Sequence, residues 1–303
     1  MNVNFKLIWF EDLSEVFEAF RPEILGKIAN YKLIPNVIEY KSSTYSISEL
    51  ASADLVLADY DLGTSNSVDI VAQIRSNNIT TDVLLYSAQE KKMLDKIRES
   101  SPIEGIFYVK RGSDTLLPKI DLLIQRIIRR SQTIENLRGL VMEYTAVFDK
   151  NIYENILNFC NDTTTKALVL QYINNDIPAS AKERVCKSCR NCHPKKYGCD
   201  NIKQFASNEI ADITQIDELD SYSKCRILGY ILKSRDPEKY KNFVKDYNNE
   251  VIKYRNAFAH EKSDGNRIFI RGTKTYENID DALFNKIRQI IIKYEKFFKD
   301  IKE

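Results

Sequence analysis

From residue 1 to about 130 the chain alternates short apolar runs with amphipathic stretches of helical length, and that alternation leaves few folds open. Strand candidates are Phe5–Phe10, Leu33–Tyr40, Asp54–Asp59, Val83–Ser87 and Gly105–Lys110. Between them lie helix candidates at Ser14–Asn30, Ser65–Ser76, Gln89–Ser100 and Asp114–Arg130, with a weaker one at Ser46–Ala51. Strands separated by helices of this length predict a five-stranded parallel sheet covered on both faces. The run Leu-Val-Leu-Ala at 55–58 fits a strand buried from both sides.

After Arg130 the strand signal nearly vanishes. Helical patterns run through 131–160, 163–174, 209–234, 236–262 and 278–302. A Cys-rich insert spans 182–205, and a short strand pair is expected at Arg267–Ile270 and Lys274–Tyr276, turning at Gly272. A length of 303 residues accommodates two domains. The expectation is α/β plus all-α: a sheet domain over 1–130 and a helical domain over 131–303. The last helix of the first domain is expected to run on into the second through residues 127–150, a stiffer joint than a loose linker.

No apolar run approaches the roughly 20 residues that span a bilayer, and the N-terminus lacks the basic-then-apolar pattern of a secretory signal. A cytoplasmic protein without membrane contact is the expectation. Residues 1–130 carry 16 basic and 18 acidic side chains, and the rest carry 29 and 25. That balance excludes a chain basic throughout, so any nucleic-acid surface must be local.

In a sheet of this kind ligands bind beyond the carboxyl ends of the strands, so the acids there matter most. Glu11 and Asp12 follow the first strand, Asp59 ends the third, and Asp61 lies two residues on. Ser87 and Ala88 end the fourth strand and Lys110 the fifth. Converging carboxylates suit Mg²⁺, a hard cation that offsets charge as a phosphoryl group transfers to an aspartate. The arrangement resembles the response-regulator receiver family over the whole first 130 residues. That resemblance implies a receiver-like (flavodoxin-like) fold, a histidine kinase partner and Asp59 as phosphoacceptor. It makes Glu11 and Asp12 the acidic pair on Mg²⁺, with Asp61 adding its backbone carbonyl. It also assigns Ser87, Ala88 and Lys110 to the phosphoryl group, and Phe107 to the position of a rotating aromatic switch. Three features depart from the family: Glu11 replaces the commoner Asp, no proline follows the acceptor in Asp-Tyr-Asp-Leu-Gly, and Arg111 stands where proline is usual.

One of only two histidines falls in Tyr-Arg-Asn-Ala-Phe-Ala-His, residues 254–260. Ser234 or Asp236 with Pro237 marks the start of the helix that leads to it. On a straight helix Arg255 and His260 lie about 140° apart, so they share a site only if the helix ends or bends near Phe258, or if a second protomer contributes. A histidine and a guanidinium suffice for metal-free RNA cleavage, the first moving a proton and the second holding the phosphate's charge. The nucleophile is then the substrate's 2′-hydroxyl, which excludes DNA as a target. Arg255, Asn256 and His260 match the Arg-Asn-x-x-x-His motif, and the region from about 135 to 303 resembles the HEPN superfamily. The resemblance implies a helical bundle that homodimerises to pair two motifs, and a ribonuclease output of the kind found in stress and phage-defence systems. Against it stands a plain reading in which Arg255 and His260 serve a helix end and surface carboxylates.

Cys186, Cys189, Cys192 and Cys199 lie within 14 residues, with His193 beside them. Such clustering points to metal rather than disulfides. The pairs separated by two residues suit a tetrahedral Zn²⁺ site, with His193 as a fifth candidate ligand. An iron–sulfur cluster competes, although its usual runs bring the fourth cysteine closer; reduced or redox-active thiols without metal are the third possibility. Seven basic and two acidic residues over 182–203 offer a surface for RNA phosphates. No helix-turn-helix pattern of a DNA reader follows the first domain. The combined expectation is a phosphorylation-gated ribonuclease, with a non-catalytic RNA- or protein-binding regulator as the alternative.

Overall fold

The structure is a computed structural model describing residues 3–42, 45–63, 65–99, 105–177, 210, 212–260, 263–264, 267–270 and 275–302. It divides into two compact units, Met1–Asn136 and Leu137–Glu303. In the first, strands β1 (Asn4–Phe10), β2 (Ile34–Tyr40), β3 (Leu55–Asp59), β6 (Asp82–Ser87) and β7 (Ile106–Lys110) form one parallel sheet in the order β2-β1-β3-β6-β7. This is the flavodoxin-like doubly wound order, in which the order of the strands reverses between β1 and β3. Alternate residues of each strand feed two cores, because side chains point to opposite faces of a pleat. Phe5, Leu7, Trp9, Leu55, Leu57, Leu84 and Tyr86 pack against helices α1 (Ser14–Asn30) and α5 (Ser113–Ser131). On the other face Ile8, Phe10, Val56, Ala58, Val83 and Leu85 meet α2 (Ile47–Ala51), α3 (Ser67–Ser76) and α4 (Glu90–Glu99). A small hairpin, β4 (Asp61–Leu62) with β5 (Ser65–Asn66), occupies the first two residues expected of α3. Its turn uses Gly63 at φ +71°, a conformation that costs glycine little.

The expected helical joint is interrupted. Helix α5 stops at Ser131, Gln132 leaves the helical region at φ −85° and ψ 66°, and α6 (Ile134–Phe159) begins afresh. The cause is local polar chemistry. Thr133 Oγ1 accepts from the Asn136 N–H at 3.2 Å, and the Asn136 amide donates to the Ser131 carbonyl at 2.8 Å, so these side chains satisfy the ends that a continuous helix would pair.

In the second unit α6 is followed by α7 (Thr163–Asp176), a 3₁₀ turn (Ile213–Glu218), α8 (Ser221–Arg235), α9 (Pro237–Tyr240), α10 (Phe243–Tyr247), α11 (Lys253–His260) and α12 (Asp281–Asp300). The helix expected over 209–234 starts only at Ser221, where Asp220 accepts from the Ser223 N–H, after a turn closed by an Asp212–Gln215 capping box. That expected over 236–262 is broken into pieces, with a π-helical stretch at Asn248–Ile252 before α11. Asp236 caps it and Pro237 opens it, whereas the Ser234 hydroxyl bonds Ile231 instead. Strand β9 (Arg267–Ile270) pairs with β10 (Thr275–Asn278) and with β8 (Ser263–Asp264); Gly272 lies outside the described residues.

The core of this unit contains an aromatic cluster. Phe148 of α6 lies 5.6 Å from Phe298 and 6.0 Å from Tyr294, both on α12. Gly229 lets α8 and α10 approach closely, since a Cβ there would sit 2.3 Å from a Val244 methyl. Among the described residues no helix is long and apolar enough to cross a membrane.

Candidate functional site

Strands β1 and β3 end side by side, and the backbone beyond them delivers three carboxylates to one rim. Glu11, Asp12 and Asp59 each offer an oxygen within 4.8 Å of the others. Glu11 and Asp59 are buried and Asp12 is half-buried. Burial raises the pKa of Asp59, against the pull of Arg111, and Asp12 adds to the rise. It raises Glu11 too, although hydrogen bonds from Tyr86 and from the Leu13 backbone oppose the shift. Asp59 Oδ1 is buried and has no hydrogen-bond partner among the described residues. An all-oxygen donor set with an unpaired buried carboxylate oxygen fits a hard cation such as Mg²⁺.

A relay stands behind the rim. The Trp9 indole N–H donates to the Tyr86 hydroxyl at 2.6 Å, and that hydroxyl donates to Glu11 Oε2 at 2.7 Å. The Leu13 N–H meets the other Glu11 oxygen at 3.1 Å. Glu11 is thereby fixed in orientation.

Asp61 stands apart as a carboxylate: its side chain is exposed, while its backbone N–H opposes the rise in the Asp59 pKa. Ser87 is buried at the end of β6, its hydroxyl accepting from the Gln89 N–H at 2.9 Å. Ala88 is exposed and, with Tyr60, Gln89, Lys92 and Lys110, lines an open cleft of about 770 Å³. Phe107 is half-buried beneath Arg126, 4.7 Å from its ring centre, and Lys119, 5.6 Å away.

The cation on the acceptor is unexpected. Lys110 is exposed in the cleft, while Arg111 pairs with Asp59 through its Nη2. The sequence carries the signal as a second basic residue directly after Lys110, at the position where the sequence departs from the usual proline.

In the second unit, α11 buries Tyr254, Ala257 and Phe258 and exposes Asn256, Ala259 and His260. Glu277 of β10 anchors it, accepting from the Tyr254 hydroxyl at 2.8 Å and pairing with Lys253 and Lys286. The helix is regular from Lys253 to His260, and the π-helical stretch lies before Arg255. No bend therefore closes the roughly 140° between Arg255 and His260. Asn256 and His260, at i and i+4, share the exposed face. Arg255 is half-buried beside them, donating to Asn256 Oδ1 at 3.0 Å.

The charge of Arg255 also acts on Asp149 of α6. Burial raises the Asp149 pKa, opposed by the Ser221 hydroxyl at 2.5 Å and by the charges of Lys224 and Arg255. Among the described residues, Asp149 Oδ1 and the Tyr247 hydroxyl are both buried without hydrogen-bond partners. An acid with a raised folded-state pKa contributes stability that is present below its unfolded value, here 3.8, and lost as pH rises through the folded value. Asp149→Asn is expected to be more stable than the wild type at neutral pH, with the gap closing as pH falls toward 3.8. Urea-unfolding midpoints of both proteins across that range provide the check; a constant gap would refute the assignment.

Cys186, Cys189, Cys192, His193 and Cys199 lie outside the described residues. The two other cysteines, Cys160 and Cys225, are buried free thiols, the second pushed up strongly by burial and by Asp149.

The strand order and the acidic rim define the first unit as a receiver-like, flavodoxin-like α/β domain. No protein-family model and no curated protein matches the chain. Among solved structures, it is similar to a response regulator receiver domain protein from Clostridium thermocellum: 16% identity, covering 42% of this chain and 95% of that one, TM-score 0.33. The Francisella response regulator 1452 receiver domain gives 17% identity, 41% and 98% coverage, and a TM-score of 0.28. A flavodoxin of Streptococcus pneumonia TIGR4 gives 12% identity, 42% and 99% coverage, and a TM-score of 0.30.

Proposed function

We propose that the chain is a two-component-type response regulator whose receiver accepts a phosphoryl group on Asp59 from a histidine kinase and controls a HEPN-like ribonuclease. The observation that carries the receiver half is the gathering of Glu11, Asp12 and Asp59 at the carboxyl rim, with Asp59 Oδ1 buried and unpaired. Mg²⁺ held there by Glu11, Asp12, Asp59 and the Asp61 carbonyl supplies charge neutralisation for phosphoryl transfer. The residues of this chain do the rest. Asp59 provides the nucleophilic oxygen, the Glu11–Tyr86–Trp9 relay holds the metal ligand in place, and Ser87, Ala88 and Lys110 receive the phosphoryl oxygens.

The output reading rests on Arg255, Asn256 and His260. His260, exposed at the end of α11, moves a proton to or from the substrate's 2′-hydroxyl or leaving oxygen, and Arg255 holds the phosphate. Two copies of the chain would bring one arginine to the other's histidine. The Cys186, Cys189, Cys192 and Cys199 cluster, with or without His193, holds structural Zn²⁺ in this reading, and the basic residues around it contact RNA. A cytoplasmic role in stress or phage defence follows by family analogy alone.

One observation favours the alternative of a non-catalytic RNA- or protein-binding regulator: within one chain, Arg255 and His260 project from different sides of a regular helix. Incubating the chain with total RNA, with and without a small-molecule phosphodonor, separates the two. Cleavage whose extent changes with the donor is the expected result. Intact RNA in every condition would end the ribonuclease reading and leave the regulator.

A further inference from the structure

We propose that Arg111 is the resident counterion of Asp59, that a divalent cation has to displace it, and that it thereby sets the metal affinity of the rim. This rests on reading the rim as a receiver metal site.

The pair is well shielded: the Asp59 side chain is 2% exposed and that of Arg111 21%. Arg111 is placed by its backbone, whose N–H donates to the Ser87 carbonyl at 2.8 Å, and by the Tyr86 ring, 5.8 Å from its guanidinium carbon. Among the described residues its buried Nε has no hydrogen-bond partner. The guanidinium is therefore held over the acids chiefly by Asp59, and among the described residues no other side chain is paired with it. That is the condition for a counterion that yields.

Charge makes the competition direct. Three carboxylates share the rim, and Arg111 cancels one of their charges and occupies Oδ2 of the acid that belongs to both proposed roles. A dication on Oδ1 and a guanidinium on Oδ2 of the same carboxylate repel each other strongly in a poorly solvated site. Proline, usual at this position in the family that the first unit resembles, carries no charge to compete. Once Asp59 is phosphorylated, the phosphoryl oxygens offer the displaced guanidinium a bidentate partner of the kind arginine favours.

The test is a Mg²⁺ titration of the full chain, read by the fluorescence of its single tryptophan. Trp9 reports on the rim because its indole bonds Tyr86, which bonds Glu11. Arg111→Ala is expected to bind Mg²⁺ at least tenfold more tightly than the wild type. Arg98→Ala removes an exposed positive charge from α4 and controls for net charge; it should bind like the wild type. Thermal melting verifies folding, and if Arg111→Ala does not fold, Arg111→Gln decides. Equal or weaker binding by the folded Arg111 variant overturns the proposal while leaving the rim a metal site, and so does equal tightening in Arg98→Ala. No Mg²⁺ response in any form overturns the metal reading itself, and this proposal with it.

Discussion

Asp59→Asn is expected to take up no phosphoryl group from a small-molecule phosphodonor, under conditions in which the wild-type chain gains one phosphate by intact mass. By the proposed reading an Asp59 carboxylate oxygen of the wild type would attack phosphorus, the bond from phosphorus to the donor's leaving oxygen would break, and an acyl phosphate would form. The amide lacks that nucleophile. The substitution spares the backbone around it: the Ser67 hydroxyl bonds the Asp59 main-chain carbonyl, and the Tyr60 N–H bonds the Tyr86 carbonyl at 2.8 Å. Loss of labelling with an unchanged circular-dichroism spectrum would thus report on the acceptor and not on folding. Nearby acids do not substitute for it. Glu11 has both oxygens engaged, by Tyr86 and Leu13, and Asp12 lies on the less buried side of the rim. Persistent labelling of Asp59→Asn would move the phosphoacceptor elsewhere and remove the main support for the receiver function.

The parallel sheet was legible because burial on both faces forces near-continuous apolar runs, and each of the five lies within one residue of its observed start. The acidic rim was legible for a related reason: the fold presents its ligand-binding residues at strand ends, and Glu11, Asp12 and Asp59 are acids at those ends. Arg111 was not. Its importance depends on where a long side chain lands, and its neighbour Lys110 offered the same charge one residue earlier. The joint after α5 was misread because the apolar pattern persists across it, while Thr133 and Asn136 act through local hydrogen bonds that periodicity does not register. The break in 236–262 is of a third kind. Asp236 and Pro237 announced its start, but the π-helical stretch at Asn248–Ile252 carries neither glycine nor proline, so nothing local marked it.

That stretch decides how the motif in α11 must work. Had the distortion fallen between Arg255 and His260, it would have altered their angular separation; it falls before both and leaves about 140° between them. Arg255 donates to Asn256 and its charge acts on the half-buried Asp149, while His260 stands exposed at the helix end. If these residues cleave RNA, the arginine of one chain serves the histidine of another. Arg255→Ala and His260→Ala should each abolish cleavage of RNA, since a proton carrier alone contributes on the order of 10² to 10⁴ in rate. Mixed after co-refolding, the two inactive chains should regain about a quarter of wild-type activity, because half of the dimers are mixed and each has one intact composite site of two. Cleavage assays on the mixture, with each variant alone as the baseline, make the measurement. A mixture as inactive as its parts would mean that Arg255 and His260 act within one chain or do not act on RNA at all. Full activity in either single variant would remove that residue from the chemistry and favour the non-catalytic regulator.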